Sequence, residues 1–103
     1  MKRATYPIDL SVMQTALKDY RQSLGKETQS HHFANEIRLI NFAVTGNPMG
    51  CYRSLPDIRE LSKTIRRVVY LNKALIKLHV PYQDRKKSCR NLFLKAISVK
   101  HQK

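Results

Sequence analysis

Six cations are spaced to share one side of a segment in the second half of the chain: Arg59, Lys63, Arg66, Arg67, Lys73 and Lys77, with Tyr70 among them. If the segment is helical, the row from Arg59 to Lys77 is about 27 Å long at the helical rise. Its cations would neutralise a line of phosphates, each contact releasing counterions from a nucleic acid. A solvated face beside a buried stripe is the plain alternative for any amphipathic helix. That alternative does not explain why acids are nearly absent from the arc.

Arg85, Lys86, Lys87 and Arg90 form a second basic cluster. Its charges spread around a helix, which suits phosphate contact without base reading. Arg53, just before the first row, and Lys2, Arg3 and Thr5, at the start of the chain, complete the candidate DNA-binding set. The whole composition points the same way. Twenty Lys and Arg stand against seven Asp and Glu, a formal net charge of +13. Such an excess calls for a polyanionic partner, with nucleic acid as the default and an anionic membrane surface as the lesser option. Residues 1–50 hold six basic and four acidic residues, whereas residues 51–103 hold fourteen and three. Phosphate affinity therefore belongs mainly to the second half.

Other chemistries find little support. There is no phosphate loop, no G-x-S-x-G and no H-E-x-x-H, and the acids are scattered rather than paired. The chain is read as a non-enzyme with no cofactor and no small-molecule substrate. His31, His32, His79, His101, Cys51 and Cys89 show no metal-ligand spacing. His31-His32 could sit at a helix start near a phosphate, or simply be two exposed turn residues. Cys51 and Cys89 are far apart and read as reduced thiols of a cytoplasmic protein. Pro7 and Asp9 interrupt any early apolar stretch, so no secretory leader is expected. No apolar run approaches the ~18 residues of a membrane span.

The elements that must position the cations are legible from periodicity. With 103 residues, 42% of them hydrophobic, the chain reads as one folded domain with a modest core that dimerisation would help. Ser11 is placed to cap a first helix, Ser11–Leu24, in which Met13, Ala16, Leu17, Tyr20 and Leu24 share a face; Gly25 ends it. Thr28 or Ser30 would cap a second, running from about Ser30 to Thr45. Phe33, Ile37, Ile40 and Val44 lie on one of its faces, and Leu39, Phe42 and Ala43 on others, so it should be buried. Ser54-Leu55-Pro56-Asp57 predicts the start of a long third helix reaching about Val80. There Ile58, Leu61, Ile65, Val68, Leu75 and Ile76 form an apolar arc centred about 150° from the basic one. Asn72 falls in that apolar seam, as a boundary residue or one that fixes register. A fourth helix would run from about Tyr82 to Ser98, with Leu92, Phe93, Ala96 and Ile97 inward.

Before the first helix, Tyr6, Ile8 and Leu10 alternate with Arg3, Thr5, Pro7 and Asp9. A short strand, a capped helix, a turn and a buried helix make residues 2–46 resemble the ribbon-helix-helix DNA-binding proteins. The resemblance implies a mainly α fold in which strands 3–10 of two chains pair into an antiparallel ribbon entering the major groove. Tyr6, Ile8 and Leu10 would then face the helices, and Arg3, Thr5, Pro7 and Asp9 the groove. Residues 1–50 would form a dimerisation core and residues 51–103 a two-helix basic extension. The alternative is an all-helical protein with a loose basic arm, since Pro7 lacks the N–H of a central strand.

The expectation is thus a homodimeric, sequence-specific regulator of transcription that binds double-stranded DNA, from a bacterium or a mobile element. Two alternatives stay open. One is an accessory protein for DNA processing or transfer, or an RNA binder. The other is an interaction protein that docks a basic helix on an acidic protein or a membrane.

Overall fold

A computed structural model describes residues 8–47 and 49–100, with side chains through Ser98. Four helices follow one another: α1 (Ser11–Ser23), α2 (Ser30–Thr45), α3 (Ile58–Lys77) and α4 (Tyr82–Lys100). A single turn of 3-10 helix, Tyr52–Ser54, lies between α2 and α3.

The mainly helical expectation holds, and the ribbon does not. Among the described residues there is no strand: Ile8 and Asp9 have no regular structure and Leu10 is a turn. Leu10 has φ −81° and ψ −11°, a helical backbone that no ribbon strand adopts. The cause is local. The Asp9 carboxylate accepts from both the Ser11 N–H, at 2.9 Å, and the Ser11 hydroxyl, which folds the chain back on itself. Ser11 is thus the first helical residue and not the cap; Leu10 holds the N-cap position without a side-chain cap bond, and Asp9, one residue earlier, accepts from the first helical N–H. Ile8 and Leu10 still pack against the core. The predicted strand residues Arg3, Thr5, Tyr6 and Pro7 lie outside the described residues, as do Lys2 and His101.

Other boundaries move for equally local reasons. Helix α1 ends as predicted at Gly25, whose φ of +74° puts it in the left-handed region. The Gly25 N–H donates to Gln22 O and the Lys26 N–H to Arg21 O, pairing the last carbonyls. Neither Thr28 nor Ser30 caps α2. Gln29 does, with its side chain accepting from the His32 N–H while His32 Nδ1 accepts from the Gln29 N–H at 3.0 Å. Ser54 falls in the 3-10 turn, and Asp57 precedes α3 without a side-chain cap. Helix α3 stops at Lys77 and not near Val80, because His79 turns left-handed, with φ +63°. His79 N–H and Val80 N–H then close on Ile76 O and Leu75 O. A non-glycine residue is strained there. The His79 ring packs 4.6 Å from that of Tyr20, tying this turn to α1.

One core joins both halves of the chain. Helix α3 packs mainly on α1 and α4, and α2 packs mainly on α4. Met13, Ala16 and Leu17 meet Leu39, Ile40, Ala43 and Val44 there, together with Ile65, Val68, Val69, Ile76, Cys89 and Phe93. Helices α3 and α4 are therefore not an extension added to a finished core. They bury Met13, Ala16 and Leu17 of α1 and Leu39, Ile40, Ala43 and Val44 of α2 in this shared core.

Candidate nucleic-acid interface

The apolar arc of α3 decides where its cations point. Leu61, Ile65, Val68, Val69, Asn72 and Ile76 are buried against the other helices. The opposite side faces out, leaving Arg59, Lys63, Arg67 and Lys77 exposed and Arg66 and Lys73 half-buried. Arg59, Lys63, Arg66, Tyr70, Lys73 and Lys77 fall within an arc about 80° wide at 100° per residue, with Arg67 on its flank. No acid of α3 lies within that arc. Long cationic side chains here lay their stems along the helix and keep their charges in water. The row can follow a phosphate strand without rearranging the core beneath it.

The row is not uniform. Lys73 and Lys77 line a groove with Ser11, Val12, Thr15, Ala16 and Asp19 of α1. The Asp19 carboxylate offsets part of the positive field at that end. Arg59, Lys63, Arg66 and Arg67 form the more strongly positive half. Arg53 is exposed on the 3-10 turn before α3, its Nε donating to Tyr52 Oη at 3.3 Å. Tyr70, in the middle of the row, is 51% exposed, and the Lys73 ammonium lies 5.7 Å from its ring centre.

The second predicted cluster comes apart. Arg85 is only 6% exposed and lies inside the bundle, not on a basic surface. Its Nη2 donates to Glu36 Oε2 at 3.1 Å, its Nη1 to Glu36 Oε1 and to Asn72 Oδ1 at 3.0 Å, and its Nε to Val80 O. A guanidinium with these partners has little left to offer a phosphate. Arg90 is half-buried and donates to Ala43 O at 3.0 Å, beside the C-terminal end of α2. That position suits a cation electrostatically. The Lys86 ammonium lies 4.7 Å from the ring centre of Phe42. Lys87 remains exposed.

Sequence reading missed the group that takes Arg85. Asn72 donates to Glu36 Oε1 at 2.9 Å and approaches Met13 Sδ at 3.4 Å. Met13 of α1, Glu36 of α2, Asn72 of α3 and Arg85 of α4 thus form one buried polar connection, with a residue from every helix. Asn72 in an apolar seam was the available signal, but its partners lie 36 residues before it and 13 after. Beside it, the Tyr82 hydroxyl donates to Asn35 O, and burial raises its pKa.

His31 and His32 pack ring to ring, 4.0 Å apart, and His32 serves the α2 cap. Among the described residues no group of three or more His, Cys, Asp or Glu is placed to hold a metal. No described helix is long and apolar enough to cross a membrane. No family model, no curated protein and no solved structure matches this chain.

Proposed function

We propose that this protein binds duplex DNA, with the outward row of α3 laid along the phosphates. The observation that carries this reading is the acid-free arc of Arg59, Lys63, Arg66, Lys73 and Lys77, with Arg67 on its flank, held outward by the buried opposite side of the same helix. The net charge of +13 supplies the long-range attraction. The α3 row belongs to one chain, so the proposed contact itself needs no second copy. Regulation of transcription is the role proposed for such binding. It requires a sequence preference, which selection from random duplexes measures.

The decisive experiment titrates labelled duplex DNA with the wild type and with a variant carrying Arg59→Glu, Lys63→Glu and Arg66→Glu. Affinity falls steeply in the variant while its helical circular dichroism stays intact. Unchanged affinity removes α3 from the interface, and absence of DNA binding by the wild type in low salt removes the reading itself.

A further inference from the structure

Tyr70 is the residue of the α3 row that phosphate binding alone does not use. A tyrosine ring offers a phosphate no charge, and this residue is 51% exposed. Its one ring contact among the described residues is with the Lys73 ammonium, 5.7 Å from the ring centre, whereas the other described tyrosines are packed in the bundle or hydrogen-bonded. Tyr20 packs on His79, Tyr52 is buried in the core, and Tyr82 bonds to Asn35. The Tyr70 hydroxyl makes no hydrogen bond to any described residue. Arg66 lies one turn before Tyr70 on the same side and Lys73 just under one turn after it. The ring is thus an apolar platform between two phosphate-binding cations.

We propose that Tyr70 stacks on an unpaired base of the strand whose phosphates the α3 row holds, so that the preferred ligand is duplex DNA carrying an unpaired nucleotide. This rests on the DNA-binding reading of α3 and narrows it. In a matched duplex each base is already stacked on both sides, and swinging one out costs unpairing energy. An unpaired base has much less of that cost to meet. It gains the aromatic contact while its flanking phosphates meet Arg66 and Lys73. Stacking on an aromatic side chain tolerates any base, because every base has a π face. The preference is therefore for an unpaired position and not for a sequence.

The test uses the full chain in low salt and two labelled duplexes of about 20 base pairs, one matched and one with a single extra adenosine in one strand. The wild type binds the bulged duplex about tenfold more tightly. Tyr70→Ala loses that preference and keeps its affinity for the matched duplex. Tyr70→Phe retains it, since stacking does not need the hydroxyl. Equal wild-type affinity for the two duplexes overturns the stacking role and leaves the duplex-binding reading in place. A Phe variant that loses the preference as fully as the Ala variant also overturns it, by assigning the effect to the hydroxyl. Failure of the wild type to bind either duplex overturns both readings together.

Discussion

Arg85 on α4 and Glu36 on α2 meet across the interior of the bundle, with the two side chains only 8% and 3% exposed. Both ions are taken out of water, so each depends on the other and on Asn72 for hydrogen bonds, with Val80 O as a further acceptor for Arg85. Removing one partner strands the other charge in the core, which costs about 3–5 kcal/mol. Arg85→Met is expected to lower the urea unfolding free energy by that amount. Replacing Glu36, Asn72 and Arg85 together with Leu, Leu and Met removes both buried charges and the amide between them, leaves only Val80 O without its donor, and recovers most of the loss. A triple variant as unstable as the single one would show that the polar connection itself sustains the fold.

The α3 row predicts a definite salt dependence. Each neutralised phosphate adds about 0.9 to the slope of log affinity against log salt. Changing Arg59, Lys63 and Arg66 to Gln should flatten the slope measured for the wild type by about three units. The comparison is made by anisotropy titrations at several salt concentrations. An unaltered slope would place the phosphate contacts elsewhere on the chain.

Arg90 and Lys87 are three residues apart in α4 and should behave differently. Arg90 donates to Ala43 O, and its guanidinium lies 2.9 Å from where a side chain would begin at Gly46. Arg90→Ala removes a charged hydrogen bond at a helix C-terminus and should cost about 1–2 kcal/mol. Lys87 is exposed. Lys87→Ala should change stability by less than about 0.5 kcal/mol. Denaturant unfolding of the two variants checks the contrast.

The two thiols should differ in reactivity. Burial is the main influence that pushes the Cys89 thiol up to about 12, so almost no thiolate forms near neutral pH. Cys51 is a free and exposed thiol. A thiol reagent should titrate one cysteine rapidly in the folded chain and both in denaturant. Rapid reaction of both under native conditions would mean that α4 opens readily from the core.

The cap of α2 should weaken in mild acid. Desolvation, then the nearby positive charges of Arg21 and His31, hold His32 below the ordinary value of 6.5. Its Nδ1 accepts the Gln29 N–H, a bond that protonation destroys. The folded chain takes up this proton less readily than the unfolded one. The cap's contribution is therefore complete above the ordinary value and declines as the pH falls through it toward the folded value. Amide exchange at the start of α2 should speed up across that window. His32→Gln, which can close the same capping box without titrating, should abolish the change.

By itself, the sequence determined what depends on neighbours three or four places apart. The four helices, the left-handed stop at Gly25 and the outward cations of α3 all follow from residue types at helical spacing, because a helix sorts its faces locally. Tertiary structure decided what depends on distant partners. A strand needs a distant partner to pair with; Tyr6, Ile8 and Leu10 alternate as a strand would, yet Leu10 is helical in its backbone, and the short-range bond of Ser11 to Asp9 prevails there. Alternation fixes which residues are apolar, not whether an edge exists to pair with. Arg85 looked like its neighbours Lys86 and Lys87, and only the packing of α4 over α2 sets it against Glu36. A buried charge is decided by the partner that compensates it, and Glu36 lies 49 residues away in the chain.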